Sequence, residues 1–341
     1  MSRSADGAQL AKLLRRLVDD GAVDAGAALS GRVTVTDLSR SNPVGLVEVE
    51  GFPDVVVKGG TISGDGIDPV QGELAAYRWL SLSPETARLA PVPLLDVGGK
   101  TAVVTRRIPG AVSLHEALGS GSSEALVASL GRILGVLHGA RAGLPELPAR
   151  RPWILDVPAG RMPTIAVGNV PAGRLIETIA QSTPVAAAIT RVALAWKSLA
   201  MIHGDVKFDN VLVAHDRMLL VDWELAGLGA PVWDLAGVVD GLLIPSCVER
   251  CGEPVDVSLV ARLAEPALTA HRRVAGAELS PALEDLADAV VARLAQSATQ
   301  LAAMSHERPD AGEAATLVLA GALELAGGLV SHPGLVAECT S

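Results

Sequence analysis

His203, Asp205, Lys207 and Asn210 fall within one eight-residue stretch, HGDVKFDN, and Asp222 and Glu224 follow at the end of the apolar run Leu219-Leu220-Val221. A carboxylate, an amide and a second carboxylate in that order are what phosphoryl transfer from a nucleotide–magnesium complex requires. Asp205 would accept the proton of the acceptor hydroxyl. Lys207 would neutralise charge developing on the transferred group. Asn210 and Asp222 offer hard oxygen ligands for Mg2+. Far upstream, Lys58 closes the run Val55-Val56-Val57, where a strand would project it towards phosphates. Glu73 lies on a helical pattern and can hold that ammonium, because a buried lysine without such a partner tends to lose its proton.

Several elements must position these residues. Leu10, Leu13, Leu14, Leu17 and Val18 form a helical stripe over residues 8–20. Short strands follow at Val33/Val35, Val47/Val49 and Val55/Val57, with turns at Ser39–Pro43 and Gly51–Asp54. A helix is expected near 69–82, and two further strands, 92–97 and 101–106, are joined by Gly98-Gly99-Lys100. Arg107-Ile108-Pro109-Gly110 reads as a hinge, since Pro-Gly stops regular structure. Beyond it the pattern is mainly helical: one helix ends near His138-Gly139, an irregular Pro- and Arg-rich stretch spans 143–172, and helix resumes from about 184 to 201. Helical patterns dominate again beyond 255. The expected class is α+β, with a small β-rich N-lobe over 1–106 and a larger, mainly helical C-lobe over 107–341.

Composition narrows the function. The chain is 49% hydrophobic and 19% charged, which excludes disorder and predicts a real core. The net charge of −10 is uneven: −1 over residues 1–110 and −9 over 111–341. Such a surface repels phosphate backbones, so no nucleic acid partner is expected, whereas a cationic acceptor would suit the second half. Cys247, Cys251 and Cys339 make an odd count, which argues for reduced thiols and a cytoplasmic setting. The N-terminal MSRSADGAQLAKLLRRL has no unbroken apolar core, so no signal peptide is expected. Ala314–Val330 is interrupted by Glu324 and reads as a buried helix, so no membrane partner is expected. Leu94–Thr101 (LLDVGGKT) ends like a phosphate-binding loop, but Leu94 stands where the first glycine is required and a strand follows.

HGDVKFDN and Asp222-Trp223-Glu224 resemble the catalytic and metal loops of aminoglycoside phosphotransferases and their kinase-like relatives. Gly229–Ala236 (GAPVWDLA) is similar to the segment that follows in that family, and Lys58, Glu73 and Arg107–Gly110 fall in matching order. The resemblance spans residues 28–240. It implies a bilobal protein-kinase-like fold with ATP, or GTP, between the lobes. By that analogy Asp205 is the base, Asn210 and Asp222 bind magnesium, and Lys58 touches the α- and β-phosphates. Backbone around Val104, Arg106 and Ile108 would meet the adenine edge. His203, Glu224 and Asp234 would support the loops.

Two departures from the family pattern matter. The phosphate-covering turn Ser39-Arg40-Ser41-Asn42 lacks glycines, so Ser39, Ser41 and Asn42 would contact the nucleotide through side chains. Ala230 replaces an aspartate common after the glycine. Three readings follow. One is an ATP-dependent phosphotransferase acting on a hydroxyl of an antibiotic-like or other natural-product small molecule. A second is a kinase-like enzyme for Ser or Thr of a ribosomal natural-product precursor peptide, working with a lyase partner; Arg151–Leu155 and Pro231–Asp234 bear that similarity. The third is a non-catalytic, nucleotide-binding scaffold.

Overall fold

The computed structural model describes residues 15, 17–19, 21, 26, 33–38, 43–50, 53–59, 68–94, 102–119, 123–144, 147–215, 217–249, 255–306 and 308–331. The chain forms two compact units: Met1–Leu114 with Asn210–Ala226, and His115–Asp209 with Gly227–Ser341.

In the first unit, β1 (Val33–Asp37), β2 (Val44–Val49), β3 (Val55–Gly59) and β4 (Ala102–Arg106) form an antiparallel sheet in that order. Val55 and Val57 point into a core with Val47, Val49, Ala102, Val104 and Leu17. The two-residue period of a strand therefore sends Lys58 to the opposite face. Helix α1 (Pro69–Leu80) starts at Asp68, whose carboxylate accepts the Val70 and Gln71 amides at 3.0 and 3.2 Å. Pro69, with no N–H to satisfy, suits the first helical position. Val70, Glu73, Leu74, Tyr77 and Leu80 form its buried stripe. A short helix, α2 (Pro84–Ala87), follows.

A second sheet of this unit holds β5 (Val112–Ser113), β7 (Val211–Ala214) and β8 (Arg217–Leu220). The β7–β8 hairpin leads into a one-turn 3-10 helix, Trp223–Leu225, that packs on α1. Trp223 is fully buried and donates from its indole to the Leu220 carbonyl at 2.9 Å.

The second unit is mainly helical. After α3 (Leu114–Leu118) come α4 (Ser123–Gly139), α5 (Val170–Gln181), α6 (Thr183–Ala195), α7 (Pro231–Glu249), α8 (Val257–Ala275), α9 (Leu283–Met304) and α10 (Pro309–Ser331). Helix α9 is central, touching α5, α6, α7 and α10. The antiparallel pair β6 (Ala200–Ile202) and β9 (Gly227–Gly229) flanks the residue 203–207 loop. α7 over Pro231–Val248 and α10 over Asp310–Leu329 are long and apolar enough to cross a membrane. Both pack against α9, and α7 carries buried Asp234 and Asp240.

The fold corrects three expectations. The helix expected to reach residue 201 ends at Ala195, because Ala200–Ile202 pairs with β9 instead. The stretch read as irregular holds a 3-10 helix, Trp153–Ala159, that buries Ile154, Leu155 and Val157 beside α6. It also leads into α5, capped by Asn169, whose side chain accepts the Ala172 amide at 3.1 Å. Leu10, Leu13, Leu14, Cys251, Cys339 and the Gly98–Lys100 turn lie outside the described residues.

Gly237 on α7 decides how closely the 203–207 loop can approach. A Cβ there would sit 2.6 Å from the Val206 carbonyl oxygen, inside contact distance, whereas one on Gly327 of α10 would meet nothing within 4 Å. Gly237→Ala is expected to destabilise the protein by about 1–3 kcal/mol, and Gly327→Ala to stabilise it by about 0.5–1 kcal/mol. Urea unfolding of the two variants tests the pair, and equal midpoints would contradict the close approach.

Candidate active site

In the first unit Lys58 is the centre of an acidic cluster. Its Nζ lies 2.9 Å from Glu73 Oε2 and 2.8 Å from Glu224 Oε2, and it also donates to Asp222 Oδ1. The three carboxylates come from α1, from the turn after β8 and from the 3-10 helix that packs on α1. Lys58 and Asp222, 164 residues apart in the sequence, therefore meet in space. Glu224, expected to act only in support, is a direct partner of the ammonium.

The electrostatics follow from burial and charge. Burial alone would strip the proton from Lys58, but Glu73, Asp222 and Glu224 hold it above the ordinary lysine value. Glu73 moves the other way from a simple ion pair: burial and the neighbouring Asp222 outweigh the pull of Lys58 and raise it to about 7. One ammonium shared among three acids cannot hold the most buried of them fully ionised. Tyr77 on the same helix is pushed well above the usual phenol value by burial and by Glu73.

Asp222 sits at φ 67°, ψ 60°, the left-handed region that aspartate tolerates better than most residues. The Val221 N–H donates to the Asn210 carbonyl at 2.9 Å, which ties the two expected metal ligands to one stretch of backbone. One carboxylate and one amide oxygen fit magnesium, which keeps several waters and completes its shell with substrate phosphates. Among the described residues no cluster of three His, Cys, Asp or Glu forms a closed metal cage.

Not all the expected nucleotide contacts fit. The Val104 carbonyl accepts the Leu94 N–H at 2.8 Å, and the Arg106 N–H donates to the Val92 carbonyl at 3.0 Å. Those backbone groups are committed to the adjoining Val92–Leu94 segment, which bridges to β4 at Pro93 and Thr105, and the Val104 side chain belongs to the core. That corrects the expectation for Val104 and Arg106 and leaves Ile108, on the irregular turn, as the nearest candidate. Ser39, Ser41 and Asn42 lie outside the described residues.

In the second unit the 203–207 loop is clamped by α7. Asp234 Oδ2 accepts the His203 N–H at 2.7 Å, and Oδ1 accepts the Gly204 N–H at 2.9 Å. Trp233 donates from its indole to the Gly204 carbonyl at 3.0 Å. The loop thus presents Asp205, nearly buried, with Lys207 Nζ 3.0 Å from its Oδ2. Burial would raise the Asp205 pKa, but Lys207, Arg293 and His203 bring it below the usual carboxylate value.

Four participants had not been singled out from the sequence. His138 Nε2 lies 3.1 Å from Asp234 Oδ2, and His138 Nδ1 lies 2.9 Å from His271 Nε2. His271 Nδ1 in turn meets Ser280 Oγ at 3.0 Å. Asp234 stays ionised, its hydrogen bonds outweighing burial, so His138 donates to it from Nε2. Burial and the neighbouring His138 push His271 down to about 3, so this ring is neutral. Arg293 and Asp240 are the other two: both are buried, Nη1 of Arg293 lies 3.8 Å from Asp205 Oδ1, and its Nη2 lies 3.6 Å from Asp240 Oδ2. An arginine inside the apolar run Ala289–Ala295 was the available signal for the first.

Known proteins resemble this chain in sequence pattern and in fold. A family model described as the phosphotransferase enzyme family matches residues 37–249. No curated protein matched the sequence significantly. Among solved structures, a choline/ethanolamine kinase family protein from Mesorhizobium loti aligns at TM-score 0.57 and 18% identity, over 94% of this chain and 97% of that one. A choline kinase from Streptococcus pneumoniae, also solved in complex with AMP, aligns at TM-score 0.57 and 16% identity, over 85% and 93%. A Plasmodium vivax ethanolamine kinase aligns at TM-score 0.61 and 10% identity, over 90% and 86%. The fold is kinase-like, with a β-sheet N-terminal region and a mostly helical remainder.

The Glu73 shift has a consequence for pH. Its pKa is raised on folding from 4.5 to about 7, so the folded state holds the extra proton in that window. Stability contributed by this group is present below 4.5 and declines as pH rises to about 7. Glu73→Gln is expected to flatten that decline. Urea unfolding at intervals between pH 5 and pH 8 tests it, and parallel curves for the two proteins would contradict the assignment.

Proposed function

The chain belongs to the phosphotransferase enzyme family, and from that premise we propose that it transfers the γ-phosphate of ATP to a hydroxyl of a cationic small molecule, in a cytoplasmic setting. The observation that carries this reading is the Lys58 cluster, which gathers Glu73, Asp222 and Glu224 around one ammonium. Lys58 would exchange carboxylate partners for phosphate oxygens of the nucleotide. Asp222 and Asn210 would hold magnesium, which when bound offsets phosphate charge and polarises the transferred group.

Asp205 orients the acceptor hydroxyl. As the acceptor oxygen bonds to phosphorus, the bond from phosphorus to the β–γ bridging oxygen breaks, ADP leaves, and the hydroxyl proton passes to Asp205. Its lowered pKa keeps Asp205 ionised at neutral pH, which suits a group that orients the hydroxyl and takes the proton late. Lys207, 40% exposed, can turn from Asp205 towards the transferred phosphoryl group.

Two facts support a cationic acceptor. Residues 111–341 carry a net charge of −9. The kinases of similar fold are named for choline and ethanolamine, alcohols that bear a positive nitrogen. An antibiotic-like amino alcohol belongs to the same chemical class.

Phosphate release from ATP should be followed across a panel of amine-bearing alcohols, neutral alcohols and Ser/Thr peptides. Transfer to the amine-bearing alcohols is expected. Transfer to peptides alone would move the reading to a peptide kinase, and magnesium-dependent ATP binding without transfer to any acceptor would make the chain a scaffold. Asp205→Asn is expected to lower kcat by at least about 100-fold with ATP binding unchanged. Asp222→Asn, which keeps a residue suited to the left-handed backbone, is expected to abolish the magnesium dependence of ATP affinity. An unchanged magnesium titration would remove Asp222 from the metal site.

A further inference from the structure

Arg293 is 1% exposed, in the middle of α9, and its surroundings are unlike those of an ordinary structural arginine. It makes one hydrogen bond, from Nη2 to the Val206 carbonyl at 3.4 Å, and its Nε and Nη1 have no hydrogen-bond partner among the described residues. Its guanidinium lies 5.1 Å above the Trp233 ring, the same Trp233 that holds Gly204. It stands between two carboxylates, 3.8 Å from Asp205 and 3.6 Å from Asp240, and Asp240 is fixed by Ser297 Oγ at 2.9 Å. Both ion-pair distances exceed hydrogen-bond length, so the tie is mainly one of charge. A lysine could not span the same points, since only the planar fork reaches a carbonyl and two acids at once.

We propose that Arg293 is a positioning residue for phosphoryl transfer, which fixes the loop through Val206 and supplies the buried positive charge against which Asp205 is held for the acceptor hydroxyl. The inference rests on the reading that Asp205 receives that hydroxyl. The charges facing Asp205 come from its own loop, as Lys207 and His203, from α9, as Arg293, and from α7, as Asp240. Lys207 is partly exposed and free to reorient, so Arg293 is the fixed cation of the set.

Arg293→Met alone would leave two buried acids facing one another and is at risk of unfolding. The pair Arg293→Met/Asp240→Asn removes one charge of each sign, and thermal melting checks that it folds. Two readouts then apply: kcat and KM for ATP with the best acceptor, and the 13Cγ titration of Asp205 in aspartate-labelled protein, its resonance identified by loss in Asp205→Asn. Expected in the folded double variant are a kcat lower by about 10- to 100-fold, an ATP KM within about threefold, and an Asp205 midpoint higher by about one pH unit. Arg293→Lys should recover part of kcat. A folded double variant with wild-type kcat, or with an unmoved Asp205 midpoint, overturns the proposal. Should the wild-type protein transfer phosphate to no acceptor, the functional reading fails by itself, and the Asp205 titration still decides whether Arg293 governs that carboxylate.

Discussion

A buried ammonium that must keep its proton organises the first unit. Lys58 can remain charged among apolar neighbours only because three acids surround it, and those acids pin β3, α1 and the Asp222–Leu225 turn to a common point. Each attraction at such distances amounts to several kcal/mol at an effective dielectric of about 20, much of it offset by desolvation. The arrangement is therefore poor at adding stability and good at specifying geometry. Without the ammonium, three carboxylates would be left to repel one another beside a tightly packed tryptophan.

The second unit solves the opposite problem. There the central group is an acid, Asp205, and the surrounding charges are the cations Lys207 and Arg293. The loop that carries it is held by backbone amides on Asp234, and Asp234 is held by a chain of two imidazoles and a serine. Asp234 therefore accepts from both sides, from the loop amides and from the His138 ring. Trp233, Asp234 and Gly237 share a single helix, which lets one element set the loop's height, tilt and charge.

Much of this was legible in the residues themselves. Strand alternation put Lys58 opposite the Val55/Val57 face, the helical spacing of Glu73 with Leu74, Tyr77 and Leu80 gave α1, and the motif order anticipated that Lys58 and Asp222 share a site. What escaped were partners fixed only by packing. His138, His271 and Arg293 lie 67, 66 and 88 residues from Asp205, in helices whose apolar patterns announce burial and say nothing of what is met there. A linear division of the chain at residue 107 likewise gives no sign that Asn210–Ala226 returns to the first unit. Helix α5 was missed because Gly168, Pro171 and Gly173 mask its period, although Asn169 followed closely by Pro171 marks its start.

The left-handed backbone at Asp222 narrows what this position can become. Chemistry asks for a carboxylate, and the turn asks for a residue at ease with positive φ, a demand that glycine and asparagine meet and glutamate does not. The two conditions overlap in aspartate alone. Stepwise divergence at this site has no neutral intermediate: every single replacement forfeits the charge, the curvature of the chain, or both.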